Sequence, residues 1–517
     1  MTGEWTRDLD EAGVVRLAEL LALKLRKRDV VALGGKLGAG KTTLARALIR
    51  ALLRDPLAEV PSPTFSLQQA YGADWLTVTH FDFYRLASAE EAREIGFDEA
   101  AETGAVIVEW PTRCAELLPS DRYEIELAEL SDPALRRVTV RGLEKVAAGA
   151  QRIDELMTFL DGQKEWQGAH VAYLQGDAST RSYARLSRAS GTILLMDAPR
   201  QPDGPPIRDG KAYSRIAHLA EDMRPFVAIA RVLRGAGLSA PQVLACDLEK
   251  GILLVEDLGD RVFGTEIAAG RSQAVLWRAA VEALVELRSV PVPSQFPLPD
   301  GTTYVLPRRD RAALEIEIEL LLDWYWPALK GEPAPQSVRA EFSALWNPVL
   351  DRLLALPGGW FLRDYHSPNL IWLPERKGVA RVGIIDFQDA LNEHPAFDLL
   401  SLLQDARVDV PADLESELFA HYCTEVGSRE PGFDAAAFKA AYAAFGAQRN
   451  TRLLGLWARL LNRDGKPRYL QNIPRTWGYL ARDLAEPSLA ELSAWYDRHF
   501  PADQRTAKLA GQQARED

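Results

Sequence analysis

Gly34-Gly35-Lys36-Leu37-Gly38-Ala39-Gly40-Lys41-Thr42-Thr43 is the stretch that decides the fold of the N-terminal part of the chain. An apolar run at residues 29–33 precedes it, and a helical pattern follows it to about residue 53. A Gly-x4-Gly-Lys-Thr spacing between a strand and a helix is the Walker A pattern, in which backbone N–H groups surround phosphates. The alternative to a nucleotide-binding loop is a glycine-rich turn before a helix that has no binding function.

This loop predicts an ATP site in which two side chains have distinct tasks. The Lys41 ammonium would reach the β- and γ-phosphates, and the Thr42 hydroxyl would hold Mg²⁺. The residues predicted to bind ATP here are Gly35, Gly38, Ala39, Gly40, Lys41, Thr42 and Thr43.

Outward from the loop, helical and strand patterns alternate. Residues 9–26 repeat apolar side chains at helical spacing, and residues 76–81, 105–109 and 123–127 are typical of short buried strands. This alternation predicts an α/β sheet. The full length of 517 residues predicts two or three domains.

Composition and charge limit the functional classes. The chain is 47% hydrophobic and 26% charged, which is ordinary for a globular protein, and no apolar run reaches membrane-spanning length. A net charge of −12 argues against a chain that grips nucleic acid by itself. The three widely spaced cysteines and the acidic, mixed N-terminus favour a reduced cytoplasmic protein.

A second set of candidate catalytic and metal-binding residues lies in the C-terminal part of the chain. Asp364-x4-Asn369 is followed seventeen residues later by Asp386, which ends an apolar run at residues 382–385. This resembles the catalytic segment of the protein-kinase-like superfamily, in which an Asp accepts the substrate proton while an Asn and a second Asp hold Mg²⁺. The resemblance implies that Asp364 is the catalytic base and that Asn369 and Asp386 are metal ligands. His366 is the alternative base, although its position favours a role in shaping the loop.

Strand patterns between residues 170 and 256 precede a mostly helical remainder, which predicts an α+β fold of two lobes. No Ala-Pro-Glu sequence follows Asp386, and Asp398 comes only twelve residues later. This spacing resembles aminoglycoside-phosphotransferase-type kinases, where an Asp at that point supports the catalytic loop. The predicted domains are a P-loop ATPase domain at 1–142, a linker at 143–151, the kinase domain at 152–505 and a tail at 506–517.

Four further motifs relate the N-terminal part to a family. They are 61–65 (PSPTF), 80–86 (HFDFYRL), 94–99 (EIGFDE) and 106–111 (VIVEWP). With the Walker A loop, this ordered set closely resembles TsaE, the ATPase subunit of the bacterial tRNA threonylcarbamoyladenosine machinery.

The resemblance to TsaE implies roles and partners. Thr42 and Glu109 would bind Mg²⁺, Asp82 would act catalytically near the γ-phosphate, and Thr64 would lie in a switch-like segment. The domain would dock on the TsaD and TsaB proteins and meet tRNA only indirectly. Two plainer alternatives remain, since Asp82 could cap a turn and Trp110 could be simple core.

The C-terminal part resembles AmgK, a family of anomeric kinases acting on N-acetylmuramate and N-acetylglucosamine. The strings that carry the resemblance are GDASTRSYARL, MDAP, EDLGD, LRDYHSPNLIWL, IIDFQDA and RDGKP. It implies a sugar 1-phosphate product for cell-wall recycling, with residues 256–258 as the adenine-facing hinge between lobes. The residues expected to bind this second ATP are Asp177, Ser179, Arg181, Glu256 and Leu258.

The kinase pattern has one departure that keeps alternatives open. The strand lysine expected in such kinases is absent, and Met196 stands near its place. Arg181, Arg185 or loop amides would then have to neutralise the phosphates. The kinase half could act on another small alcohol, such as an aminoglycoside or choline, or it could be a pseudokinase scaffold for the ATPase.

Overall fold

The computed structural model describes residues 2–73, 75–174 and 181–505. Packing divides the chain into two compact units. The first contains the residues up to Arg200 together with Val243–Asp257, and the second contains Gln201–Gln242 and the residues from Leu258 onward. No helix within the described ranges is long and apolar enough to cross a bilayer.

Residues 2–161 form the α/β fold predicted around the Walker A loop. In chain order the elements are β1 (Thr2–Leu9), α1 (Glu11–Lys24), β2 (Val30–Gly35), α2 (Lys41–Leu53), β3 (Gln68–Gly72), β4 (Thr77–Asp82), α3 (Ala89–Glu94), α4 (Phe97–Thr103), β5 (Ala105–Glu109), β6 (Tyr123–Glu129), β7 (Arg136–Leu143) and α5 (Ala147–Asp161).

These strands form one sheet in the order β1-β7-β6-β2-β5-β4-β3. Its centre is parallel, because β2 pairs with β5 and β6 and β4 pairs with β5. In open α/β sheets, ligands bind at the loops that follow the carboxyl ends of the parallel strands. The register places Glu109 beside both Asp82 and Leu33, so the ends of three strands meet near the Walker A loop.

The interval 143–151, predicted as a linker, contains the end of β7, a 3₁₀ turn and the start of α5. Gly3 and Gly142 face each other across β1 and β7, and a Cβ on either would lie 2.3–2.5 Å from carbonyl oxygens of residues 146–147. The absence of side chains at these two glycines lets the first turn of α5 lie directly against the sheet. The limits of the domains themselves stay a prediction.

Residues 170–256 contribute a second sheet, and a hairpin and two helices lie in the chain between its third and fourth strands. The elements are β8 (His170–Leu174), β9 (Ser182–Arg188), β10 (Gly191–Asp197), β11 (Pro206–Arg208), β12 (Lys211–Ala212), α6 (Tyr213–Ile216), α7 (Arg224–Gly235), β13 (Val243–Asp247) and β14 (Ile252–Glu256). The antiparallel sheet has the order β13-β14-β10-β9-β8 and belongs to the first unit.

One apolar core spans both sheets of the first unit, and a second cluster around Phe81, Phe97 and Val108 lies on the first sheet alone. The first of these contains Leu20 of α1, Leu48 of α2 and Leu156 of α5 together with Val171 of β8 and Leu186 of β9, all essentially inaccessible to solvent. Burial of apolar side chains is the main force that holds a domain together. The first of these cores is therefore shared by the two sheets of this unit.

The remaining elements belong to the second unit, which is mainly helical. They are α8 (Phe263–Ala268), α9 (Gln273–Arg288), β15 (Phe296–Pro297), β16 (Thr303–Tyr304), α10 (Arg311–Leu320), α11 (Trp326–Lys330), α12 (Gln336–Ala355), β17 (Gly359–Phe361), β18 (Leu370–Trp372), β19 (Val382–Ile384), β20 (Leu391–Glu393), α13 (Ala396–Leu403), α14 (Ala412–Arg429), α15 (Ala435–Asn462), α16 (Ile473–Asp483) and α17 (Ala490–His499). The predicted tail at 506–517 lies outside the described residues.

Candidate functional site

The Walker A loop connects the end of β2 to the start of α2. Gly35, Gly38 and Gly40 have φ values of 131°, 80° and 107°, which glycine adopts without the steric cost of a Cβ. The turn therefore brings the loop amides and the N-terminus of α2 around one point, an arrangement that favours an anion.

Lys41 lies at the mouth of this loop. Its ammonium donates to the carbonyl oxygens of Gly35 and Lys36 at 2.9 and 2.8 Å and lies 3.7 Å from the centre of the Trp110 ring. Burial lowers the pKa of Lys41, against the opposing charges of Glu109 and Asp82. Trp110 thus contacts the lysine that is predicted to bind phosphate, whereas the alternative reading of Trp110 as a core residue predicts no such contact.

Glu109 at the end of β5 joins Thr42 to a buried histidine. The Thr42 hydroxyl donates to the two carboxylate oxygens at 2.9 and 3.1 Å, and His80 Nε2 lies 3.0 Å from Glu109 Oε1. A hydroxyl and a carboxylate this close are the oxygen donors that a hard divalent cation prefers. Sequence reasoning missed His80, although it precedes Asp82 by two residues and so shares its face of β4.

Asp82 accepts hydrogen bonds on both carboxylate oxygens from three neighbours, the weakest of which is the Ser62 hydroxyl at 3.4 Å. Its Oδ1 accepts from the backbone N–H of Tyr84 at 2.9 Å, and its Oδ2 accepts from the Thr64 hydroxyl at 2.7 Å. The turn-capping alternative for Asp82 therefore describes one oxygen, while the other bonds the segment that is predicted to be switch-like. Asp82 lies beside Glu109 because β4 and β5 are paired in register at these two residues.

In the second unit, β17 leads into the loop that carries Asp364. Asp398 of α13 accepts from the backbone N–H groups of Leu362 and Arg363 at 2.6 and 3.0 Å. Asp405 accepts from the N–H of Ser367 at 2.7 Å. Burial raises the pKa of Asp398 to about 8 against the effect of these backbone hydrogen bonds. The spacing-based expectation that Asp398 supports the catalytic loop agrees with these contacts.

The Asp364 carboxylate is half-buried and lies 3.7 Å from His366 Nε2. Burial would raise the pKa of Asp364, but its interaction with His366 and the nearby arginines lower that pKa below its usual range. A carboxylate that stays ionised is able to accept a proton. His366 in turn lies 3.3 Å from Arg407 Nη1, which places the imidazole in the loop framework.

A hairpin brings the predicted metal ligands together. β18 pairs with β19 so that Leu370 faces Ile384, and the Asn369 amide then lies 3.4 Å from Asp386 Oδ2. Asn369 also donates to the Asp364 carbonyl at 3.0 Å, and Gln388 donates to Asp386 Oδ1 at 2.8 Å. The three residues predicted from spacing therefore meet, and their oxygens suit a hard cation.

The predicted hinge residues lie in different packing environments. Glu256 ends β14 in the first unit, whereas Leu258 belongs to a small apolar cluster with Ile371, Leu373 and Ile385 in the second unit. Sequence reasoning missed the latter three residues. Asp177 and Ser179 lie outside the described residues, and Arg181 stays a prediction.

The missing strand lysine has a matching absence on α7. In protein kinases that lysine pairs with a glutamate of a helix that follows the strand. The first two helices after β10 are α6 (YSRI) and α7 (RPFVAIARVLRG), and neither contains a carboxylate. Arg185, considered as a substitute, donates from Nε and Nη2 to Asp257 at 2.6 and 3.2 Å. The lysine and its helical partner are thus absent together.

Two protein families match the chain. Residues 9–138 match the threonylcarbamoyl adenosine biosynthesis protein TsaE, and residues 170–439 match the phosphotransferase enzyme family. The N-acetylmuramate/N-acetylglucosamine kinase of Caulobacter vibrioides is 42% identical over 341 residues, covering 64% of this chain and 92% of that protein. The tRNA threonylcarbamoyladenosine biosynthesis protein TsaE of Rickettsia felis is 38% identical over 123 residues, covering 24% and 71% respectively. Among solved structures, Bacillus subtilis YdiB is 25% identical, with a TM-score of 0.26, and covers 31% of this chain and 98% of that one.

Proposed function

The chain belongs to the TsaE family in its N-terminal part and to the phosphotransferase enzyme family in its C-terminal part, and from this premise we propose a bifunctional enzyme. The C-terminal part is an ATP-dependent kinase that converts N-acetylmuramate and N-acetylglucosamine to their 1-phosphates in peptidoglycan recycling. The N-terminal part is an ATPase that supports threonylcarbamoyladenosine modification of tRNA.

The observation that carries the kinase proposal is the meeting of Asp364, Asn369 and Asp386 in a chain of which 341 residues are 42% identical to a sugar kinase. Asp364 accepts the proton of the anomeric hydroxyl, whose oxygen then forms a bond to the γ-phosphorus. The bond from that phosphorus to the bridging oxygen breaks, and ADP leaves. Magnesium held by Asn369 and Asp386 would neutralise phosphate charge.

Replacement of the base tests this assignment. We expect Asp364→Asn to lower kcat for N-acetylmuramate by about 10²–10⁴-fold, because the amide cannot accept the proton. The measurement is formation of the acid-labile sugar 1-phosphate, identified by mass, from Mg·ATP and the full chain. Asp351→Asn, an exposed aspartate of α12, is the matched control and should keep wild-type kcat. An Asp364→Asn variant with wild-type kcat would remove Asp364 from catalysis.

The alternatives for the kinase half have separate outcomes in the same assay. The joint absence of the strand lysine and an acidic partner on α7 is the feature that favours a pseudokinase. Transfer of phosphate to neither sugar, but to an aminoglycoside or to choline, would favour another small alcohol as substrate. Transfer to none of these would favour the scaffold.

For the N-terminal half, the cluster of Lys41, Thr42, Glu109 and Asp82 carries the proposal. Lys41 binds the β- and γ-phosphates, Thr42 and Glu109 hold magnesium, and Asp82 orients the groups around the γ-phosphate. Hydrolysis then resets a complex with the TsaD and TsaB proteins, which contact the tRNA in place of this acidic chain.

Growth rescue tests the ATPase assignment. The full chain should restore growth to a strain that lacks its own TsaE, and Lys41→Ala should fail because the phosphates lose their main cation. Lys36→Ala, which changes an exposed side chain of the same loop and keeps the carbonyl that Lys41 contacts, is the control. Rescue by Lys41→Ala equal to wild type would contradict the proposal.

A further inference from the structure

The second unit contains a cavity of about 500 Å³ beside the predicted catalytic residues. Its walls include Lys211 on the hairpin, His218 on the following loop, Tyr304 of β16 and Gln388. A volume of this size is typical of small-molecule sites. No family comparison assigns a role to these residues.

The loop that forms one wall of the cavity makes hydrogen bonds near both the predicted base and the predicted metal ligand. Arg363, which immediately precedes Asp364, donates from Nη1 to the Ala217 carbonyl at 2.7 Å. The N–H of Ala220 donates to Asp389 Oδ1 at 2.6 Å, three residues beyond Asp386. Residues 217–220 are thus held between the base loop and the metal-ligand loop, where a phosphate acceptor has to lie.

Gln388 connects the cavity directly to the metal ligand. It is 4% exposed and donates to Asp386 Oδ1 at 2.8 Å, while also lining the cavity. His218 has a φ of 52°, and its Nε2, which is buried and makes no hydrogen bond among the described residues, lies 3.4 Å from Asp310 Oδ2. A buried ring nitrogen of this kind gains free energy when a ligand hydroxyl or amide pairs with it.

The charged groups of the cavity differ in how they are paired. Arg215 contacts Asp203 at 2.6 Å, and Arg224 contacts Asp222 at 2.7 Å. Lys211 forms no ion pair within the part of the chain that the structure describes, so its ammonium is available to a ligand. Among the described residues, Lys211, which is exposed on the hairpin, is therefore the cation of the cavity wall that no carboxylate neutralises.

Given the proposed function, on which this step rests, we infer that the cavity binds the acceptor sugar and that Lys211 recognises a carboxylate on it. N-acetylmuramate carries a lactyl carboxylate that N-acetylglucosamine lacks. Lys211 then contributes to binding of the carboxylated sugar alone, whereas His218 and Gln388 contact groups that both sugars share.

Steady-state kinetics of the full chain with both sugars test the assignment. We expect Lys211→Met to raise KM for N-acetylmuramate about tenfold, the effect of losing one charge-assisted hydrogen bond. KM for N-acetylglucosamine and both kcat values should stay within about twofold of wild type. Lys211→Arg should restore most of the preference because it retains the charge.

Lys439→Met is the matched control, since Lys439 is an exposed lysine of α15 in the same unit. It should leave both KM values unchanged. Equal changes for the two sugars in Lys211→Met, or no change for either, would overturn the role of Lys211 while leaving the kinase assignment standing. A wild-type chain that phosphorylates neither sugar would overturn the proposed function and this assignment with it.

Discussion

Glu317 of α10 lies in a buried charge cluster that includes Arg363, the residue before the predicted base Asp364. The Glu317 carboxylate accepts from Arg309 at 2.9 Å, from Gln448 at 2.8 Å and from Arg363 at 3.4 Å, and it is 2% exposed. Removal of one partner from a buried ion pair leaves charges without compensation and costs about 3 kcal/mol or more. We therefore expect Glu317→Gln to lower the free energy of unfolding by about that amount, measured by urea unfolding at pH 7.

The pH dependence of this effect follows from the same cluster. Burial would raise the pKa of Glu317, but the charges of Arg452, Arg309 and Arg363 lower it to about 2. A carboxylate with a depressed pKa stabilises the fold above its ordinary value near 4.5, and that stability is lost as pH falls toward 2. The difference in the free energy of unfolding between wild type and Glu317→Gln should be constant above about pH 5.5 and should decrease below about pH 4.5. Glu341 forms a half-exposed surface ion pair with Arg498, so Glu341→Gln should lower the free energy of unfolding by about 1 kcal/mol or less. A loss no larger than this for Glu317→Gln would refute the prediction.

The distance along the chain decides which site residues could be predicted. Asp364, Asn369 and Asp386 lie within one segment whose spacing itself is the pattern. Glu317 contacts Arg363 46 residues away and Gln448 131 residues away, so no local pattern indicates it. His80 was accessible in principle, because strand alternation places it on the face of Asp82.

At the scale of single elements, the last residue of α1 connects the two sheets of the first unit. The Lys24 ammonium bonds Asp197 at the end of β10, whose side chain is 1% exposed, and Arg152 of α5 bonds the same carboxylate at 2.8 Å. Lys24→Met would leave Asp197 with one cation in a buried setting. We expect this to lower the free energy of unfolding of the first unit by about 2 kcal/mol.

Lys27→Met is the control for this change, because Lys27 is exposed in the turn that follows α1. It should alter stability by no more than about 0.5 kcal/mol. The measurement is the thermal unfolding transition of the full chain. Equal transition temperatures for Lys24→Met and Lys27→Met would show that the buried pair contributes little.

Helices and strands with a clear hydrophobic periodicity were predicted well. Elements whose structure depends on contacts with distant residues were not. The strand at 105–109 was predicted with the bounds that the structure has. β1 was missed because its sequence, TGEWTRDL, is an edge strand with charged side chains. The first turn of α5, AAGA, carries no amphipathic pattern and is fixed by its contacts with Gly3 and Gly142.

On the scale of the whole molecule, the TsaE-family part and the first sheet of the kinase part are packed as one body. Besides the shared core, Trp75 packs on Tyr173 of β8 with ring centres 5.0 Å apart, and His170 of β8 lies 2.5 Å from Glu19 of α1. Separation of the two parts would expose apolar surface on each. The sequence resembles two families, but it did not predict this packing. The apolar residues that form the contact have the same pattern as residues buried within each part alone.

The strength of this packing can be measured by dividing the chain after residue 161. We expect fragment 162–517 to be poorly soluble alone and to recover solubility and sugar phosphorylation when 1–161 is co-expressed, because the buried faces re-form. A tag on 162–517 should capture 1–161 in equal amounts. Lys24→Glu in 1–161 would place a like charge beside Asp197 and lower capture at least tenfold, whereas the matched exposed change Lys27→Glu would not. A fragment 162–517 that is soluble, fully active and unable to capture 1–161 would mean that the shared core contributes nothing to the kinase.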